Sequence, residues 1–331
     1  MEPTDDIPLA HIGPNGEPHL LVDHLLAVAR GAGEKAALFN AENWGRLAGI
    51  WHDLGKYRIG FRKYIRQAND PDAHIEGRVS GRDKTHSAAG AMWAQQHLRE
   101  IAGKQGDVIA RVLAYVIAGH HAGLDNWDGG LKARLAGEDS AKEFDDAIAG
   151  EPASEVLRPD VPLPDMSRIP VDEKTGVPGS FALWVRMLFS ALVDADFLDT
   201  EAFMNARQAA SREGFASIEQ LLEVFDTHMR QLSVEAAPTL VNRLRAEVLH
   251  QCREKAEYAP GVFTLTVPTG GGKTLSSLAF ALRHAARHRK RRIIYAIPYT
   301  SIIEQTADIF RGILGEANVV DAMQKHNAVV G

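Results

Sequence analysis

The sequence predicts a mostly α-helical domain followed by part of an α/β lobe that carries a phosphate-binding loop. Three observations lead there. Apolar residues recur at helical spacing through most of the first two-thirds of the chain. One late stretch, Val262 to Thr274, breaks that pattern with a β-branched run, a glycine-rich turn and the start of a helix. The 331 residues suffice for two separate cores, and 45% apolar with 24% charged residues is a globular composition. A domain over residues 1–235 and a second over 236–331 are expected, with the boundary at Ala236-Ala237-Pro238.

The bulk properties limit the function. No apolar run reaches the ~18 residues of a membrane span, so no membrane partner is expected. Met1 to Pro8 is acidic and has no apolar signal core, which gives no indication of export. The single cysteine, Cys252, excludes an intramolecular disulfide and fits a reducing compartment, so a cytoplasmic protein is expected. A net charge of −6 argues against a generally basic surface for nucleic acid, though not against a local patch or metal ions facing phosphates.

Taken in order, the first helical pattern runs from about His19 to Arg30, with Leu20, Leu21, Leu25, Val28 and Ala29 on its apolar face and His24 on or beside it. Alone, His24 reads as a core histidine. Trp44, Leu47, Ala48 and Trp51 mark a second helix that closes on His52-Asp53-Leu54-Gly55-Lys56. An adjacent histidine and aspartate at the core end of a helix form either a buried ion pair or two ligands of a divalent metal. Tyr57 to Gln67 then reads as a helix. Its Arg58, Arg62 and Arg66, spaced by four, make either a solvated face or a ridge for nucleic-acid phosphates. Asn69 to Lys84 reads as a polar loop. His86 opens a further helix whose small residues, Ala88 to Ala91, allow close packing.

Arg111 to Gly119 ends in His120-His121-Ala122-Gly123, where small neighbours leave room for something bound. Glu151 to Gly179 reads as an irregular excursion. Phe181 to Leu198 is a strongly apolar helix containing Asp194 and Asp196, of which at most one can face a common site because positions two apart diverge. Asp199 and Glu201 are expected at its exposed end. Polar helices at about Ile218–Leu232 and Leu240–Glu257 lead to two expected buried strands, Val262–Val267 and Ile293–Ile297. Between them, Gly270, Gly271 and Gly272 would close backbone N–H groups around phosphates, Lys273 would reach the outer phosphates and Thr274 would hold Mg²⁺, so ATP with Mg is a possible ligand. Val267 stands where the usual loop pattern has glycine. The basic run His288 to Arg292 suits a helix C-terminus.

Collected, His24, His52, Asp53, His86, His120, His121 and one of Asp194 or Asp196 are too many ligands for one ion. They fit two ions bridged by a carboxylate, with Asp53 the natural bridge. Such a pair clamps the attacking and leaving oxygens of a phosphodiester and acidifies a bound water. Imidazole-rich ligation favours Mn, Fe, Co, Ni or Zn over Mg.

This order of residues resembles the HD phosphohydrolase superfamily, and its metal-dependent nuclease branch in particular. With the glycine-rich loop downstream, the chain resembles the CRISPR-associated nuclease-helicases of type I interference systems. The marks are His52 to Lys56, Gly119 to Gly123, Val193 to Asp199 and Pro268 to Thr274; Pro298-Tyr299-Thr300 matches a helicase motif that touches a single strand. The resemblance implies an HD-type helical domain and a RecA-like lobe, with Asp196 rather than Asp194 as the late ligand. It also implies cleavage of single-stranded DNA, Lys56 helping to stabilise charge on the phosphate, and delivery of DNA by a crRNA-guided surveillance complex. The sequence departs from the helicase pattern in lacking an Asp-Glu motif after a strand, for which Val319-Val320-Asp321 is too short, and in lacking a second RecA-like lobe. ATP-driven unwinding is therefore not expected, and at most weak nucleotide binding at Lys273. The alternatives are an HD-type nucleotide phosphohydrolase and a docking module with an inactive metal site.

Overall fold

The computed structural model describes residues 7–67, 86–170, 179–210 and 214–320. The expected loop at Asn69–Lys84 and the end of Val319-Val320-Asp321 lie outside them. The chain divides into two compact units, Met1–Ser211 and Arg212–Gly331.

The first unit begins with a β-hairpin that the helical reading of His19 and Leu20 did not anticipate. Its strands are β1 (Leu9–Ile12) and β2 (Pro18–Leu20), antiparallel, with His11 opposite His19. Helices α1 (Leu21–Ala37) and α2 (Glu42–Trp51) follow, then a single 3₁₀ turn at Leu54–Tyr57, α3 (Ile59–Gln67) and the long α4 (Ser87–Gly119), which is interrupted at Gly103. Short helices α5 (Lys132–Leu135), α6 (Glu138–Ala149) and α7 (Ser154–Leu157) lead to α8 (Gly179–Met204) and α9 (Ala206–Ala210).

Helices α1, α2, α4 and α8 enclose one core. On α8, Trp184, Leu188, Ala191, Leu192 and Ala195 are buried at helical spacing, and Trp44 meets Trp184 edge-on. Close approach between helices places the site. A Cβ at Gly49 on α2 would run into the Ala29 backbone of α1, and one at Gly90 on α4 would run into the Trp51 carbonyl. The absence of those side chains lets α1 and α4 lie against the end of α2, where His52 and Asp53 stand.

The expected ridge of arginines is neither solvated nor available to phosphates as drawn. Arg58 and Arg62 are buried, and their guanidinium groups donate to the carbonyls of Gly55 and Gly150; Arg66 donates to the carbonyls of Ile7 and Arg62. Carbonyls left over where helices and hairpin end need donors, and these side chains supply them.

The second unit holds α10 (Ile218–Glu235), α11 (Leu240–Lys255), α12 (Lys273–Arg287) and α13 (Thr300–Leu314). A reciprocal cap between Ser217 and Gln220 starts α10. Phe225 and Met229 of α10 pack with Leu249, Leu278, Leu282 and Phe310, so this helix belongs to the second unit and the division falls earlier than Ala236. Asp226 ties the helices together through Arg253 at 2.6 Å and Arg283 at 3.0 Å.

The two stretches expected as buried strands are not strands here. Val262 is 97% and Ile294 83% exposed, and neither stretch pairs with a neighbour among the described residues. A buried strand needs hydrogen-bonded partners on its edges, and without them an apolar run stays open to solvent. Among the described residues no helix is long and apolar enough to cross a membrane.

Candidate metal centre

Four helices and the residues at their ends bring the sequence-predicted ligands together. His24 comes from the first turn of α1, His52 and Asp53 from the end of α2, His86 from the start of α4, His120 and His121 from its far end, and Asp196 from α8. Their ligand atoms form two groups, His24–His52–Asp53–Asp196 and Asp53–His86–His120–His121, each with all its atoms within 4.8 Å of one another. Asp53 belongs to both.

Its two oxygens divide the work. Oδ2 lies 3.3 Å from His52 Nε2 and 3.6 Å from His24 Nε2. Oδ1 lies 3.2 Å from His86 Nε2 and 3.3 Å from His120 Nε2. Asp196 Oδ1 closes the first group at 3.4 Å from His24 Nε2 and 3.6 Å from His52 Nε2. His121 Nε2 lies 2.9 Å from His86 Nε2 in the second. Ligands held ~2.1 Å from one ion stand ~3.0 Å apart at a right angle and ~3.4 Å apart at the tetrahedral angle. The observed separations have that size.

The hydrogen-bond pattern points the same way. His52 Nδ1 donates to Gly49 O at 2.8 Å and His120 Nδ1 to Ile117 O at 2.6 Å. His24 Nδ1 donates to Asp199 Oδ2 at 2.7 Å. Each ring is thereby oriented with Nε2 inward, which is how metal-ligating histidines are held. The inward atoms His24 Nε2, His52 Nε2, His120 Nε2 and Asp53 Oδ1 are buried and have no hydrogen-bond partner among the described residues. Buried polar atoms left without hydrogen bonds, aimed at common points, fit divalent cations.

Electrostatics sharpen this. Burial pulls the His24 and His52 pKa values down, but neighbouring carboxylates outweigh it. Asp196, Asp199 and Asp53 raise His24 to about 10, and Asp53 with Asp196 raises His52 to about 9. Burial likewise pushes Asp53 and Asp196 up. The imidazoles, joined at Asp53 by Lys56, overcome it and hold both carboxyls well below the usual range. In the ion-free fold, protons take the place of cations.

Lys56 is not at an open face. It is buried, with Nζ 2.7 Å from Asp53 Oδ2 and 3.4 Å from Ala10 O. Its charge is spent on the shared carboxylate. Asp194 is turned away and pairs with Lys35 at 3.4 Å, leaving Asp196 as the inward acid. Asp199 and Glu201 are not at an exposed end: Asp199 orients His24, and Glu201 is buried. Asp199 follows Asp196 by three, the spacing that keeps two residues on one helix face, and that signal was available.

His86 is the N-terminal flanking residue of α4, yet its side chain does not cap the helix. Glu143 on α6 does so instead: its buried Oε1 accepts from Ala88 N at 2.8 Å and Ala89 N at 2.9 Å. His86 is thereby left to face the centre. In the second unit, Gly270 and Gly272 adopt φ of +82° and +84°, and α12 begins at Lys273. Arg245 Nε donates to Gly270 O at 2.8 Å.

Residues 228–329 match the family described as type III restriction enzyme, res subunit, so the chain carries a helicase-type domain. Over 56 residues the chain is 48% identical to the CRISPR-associated nuclease/helicase Cas3 of Haloferax volcanii, a stretch covering 15% of this chain and 6% of that protein. Two T. fusca crystal structures, Cas3-AMPPNP and Cas3-ADP, are 18% identical over 93% of this chain, with TM-scores of 0.47 and 0.48. The match covers only 36% and 37% of those chains. The chain is thus similar to Cas3 over one short stretch and spans well under half the length of these proteins.

Proposed function

We propose that the first unit is an HD-type metal-dependent nuclease domain that cleaves single-stranded DNA. The observation that carries this is the pair of ligand groups sharing Asp53, four of whose inward atoms lack hydrogen bonds among the described residues. His24, His52, Asp53 and Asp196 would hold one ion, and Asp53, His86, His120 and His121 the other, from among Mn, Fe, Co, Ni and Zn. Bound together, such ions polarise a phosphodiester and acidify a water.

The chain's own residues prepare that chemistry. Lys56 keeps Asp53 anionic. Asp199, Gly49 O and Ile117 O fix the imidazoles in one orientation. Half-buried His121 and exposed Ala122 mark the side from which a strand can enter. Lys56 acts by setting the charge of Asp53 rather than by touching phosphate.

In the second unit, a RecA-like reading is supported by the match at 228–329 and by the glycine-rich turn before α12. Gly270, Gly271, Gly272, Lys273 and Thr274 would take the phosphates and Mg of ATP. The proposal extends to DNA delivery by a crRNA-guided surveillance complex in the cytoplasm, a reading supported by the 48% identity over 56 residues to a CRISPR-associated protein.

The test is nicking of circular single-stranded DNA by the full chain with Mn²⁺, alongside hydrolysis of dNTPs. Nicking is expected, and the His52→Ala/Asp53→Ala variant should lose it. Cleavage surviving in that variant refutes the site, and dNTP hydrolysis without nicking would instead favour a nucleotide phosphohydrolase.

A further inference from the structure

A cavity of about 430 Å³ opens immediately beyond the twin histidines. Ala122 to Asp125 line it from one stretch of chain, and Gly130, Leu131 and Arg134 from another. Its volume falls within the ~300–1,000 Å³ usual for ligand sites. Ala122 follows His121 directly, and His121 Nε2 stands 2.9 Å from His86 Nε2 in the second ligand group. The cavity thus begins one Cα step, ~3.8 Å, past a candidate ligand.

Local bonds hold its shape. Arg134 donates to the carbonyl of Ala118, two residues before His120, which fixes the second stretch to the helix end that carries the ligands. The Tyr115 hydroxyl donates to Asp125 O at 2.7 Å, and Asp125 Oδ1 accepts from Asn126 N at 2.7 Å. Gly123 has φ of +87°, and a Cβ there would meet nothing within 4 Å, so the space beside it stays open. The lining divides by chemistry. Leu124 and Leu131, with the small Ala122 and Gly123, offer an apolar surface for the face of a base. Arg134 is exposed and bonded to a neutral carbonyl, and among the described residues no carboxylate pairs with it. A guanidinium whose charge is not compensated suits a phosphate.

We propose that this cavity seats the nucleotide next to the cleaved phosphate, with Arg134 on its phosphate and its base against the apolar lining. The inference rests on the nuclease reading and adds to it the residue that grips the neighbouring nucleotide.

The test compares two substrates of the Mn²⁺-loaded full chain. Bis(p-nitrophenyl) phosphate reaches the ions but has no neighbouring nucleotide, whereas a single-stranded oligodeoxynucleotide has one. Arg134→Ala should lower the ratio of kcat/KM for the oligonucleotide to that for the small diester about tenfold, through KM, the size expected for losing a hydrogen bond between charged groups. Arg134→Lys keeps the charge and should restore part of it. Gly123→Asn fills the cavity at a backbone angle that asparagine tolerates and should lower the ratio too. Fluorescence anisotropy of a labelled oligonucleotide in the presence of a chelator should show the same loss of affinity in Arg134→Ala without turnover. An unchanged ratio and affinity overturns the proposal. So does an equal loss for both substrates, which would make Arg134 a support of the helix end alone. A parent protein that hydrolyses neither substrate sinks the nuclease reading itself, so the two failures are distinguishable.

Discussion

In the ion-free fold His24 titrates at about 10 and His52 at about 9, so both rings are cationic at neutral pH. An ion entering between them has to displace a proton from each Nε2. At pH 7 this costs about 4 kcal/mol at His24 and about 3 kcal/mol at His52, taking ~1.4 kcal/mol per pH unit below the pKa. Apparent affinity for this ion should therefore rise about a hundredfold per pH unit between pH 7 and 8.5, since two protons leave. Calorimetric titration with Mn²⁺ at pH 7.5, in buffers of different ionisation enthalpy, counts those protons directly. About two released per ion are expected, and about one for His52→Gln. A flat pH profile with no proton release would mean that the rings are neutral before the ion arrives, and the carboxylate-driven electrostatics argued above would fall.

The same linkage sets the stability of the chelated protein. His24 and His52 are raised above the ordinary imidazole value of 6.5, so their contribution is complete below that pH and is lost as pH climbs through about 9 and 10. Asp53 and Asp196 are depressed below 3.8, so theirs is present above that pH and is lost on acidification. Melting of chelated protein should therefore peak between pH 4 and 6.5, and Mn²⁺ should raise it most on the alkaline side. A melting profile of the opposite slope from pH 7 to 9 would refute this. Asp199→Asn should weaken binding of the first ion ~10–100-fold, the usual effect of losing a partner behind a ligating histidine, and unchanged affinity would show that the contact is idle. Glu143→Ala leaves two buried N–H groups of α4 without an acceptor and should cost about 1–2 kcal/mol, with the second ion weakened more than the first; Glu143→Gln keeps an acceptor and should restore most of it. Gly90→Ala drives a methyl into the Trp51 carbonyl and should lower the melting temperature by several degrees with loss of both ions, whereas wild-type melting would refute the close packing.

Histidines and acids that break an apolar pattern are legible without a structure, because their burial demands a partner. His52-Asp53 and His120-His121 announced themselves in that way; helix geometry allowed only one of Asp194 and Asp196 to face the site, and the family resemblance alone chose Asp196. What the pattern hid were interactions made through space by residues with ordinary local context. Arg58 and Arg62 look solvated in sequence, yet they donate to the carbonyls of Gly55 and Gly150. Val262–Val267 and Ile293–Ile297 have the composition of buried strands, yet composition alone supplies no edge partner. The hairpin at Leu9–Leu20 escaped because His19 and Leu20 also continue a helical stripe, and only pairing with β1 decides between the two.

The centre also explains why its supports are so dispersed. The seven candidate ligands come from four helices, and α1, α2 and α4 are fixed by something other than the ligands they carry. Gly49 lets α1 approach α2, Gly90 lets α4 approach the Trp51 carbonyl, and Glu143 caps α4 from α6. A ligand cannot also anchor its own helix without surrendering the atom that faces the ion. His86 shows the rule most clearly: a residue at a helix start ordinarily bonds the first N–H groups, and here a buried glutamate from another helix takes over that task. Asp53 is the exception that the geometry requires, since a carboxylate has two oxygens. Oδ1 faces the second group, while Oδ2 faces His24 and His52 and also takes the Lys56 charge. Any substitution that leaves only one oxygen there, Asp53→Asn included, breaks the link between the two groups while leaving both sets of imidazoles in place.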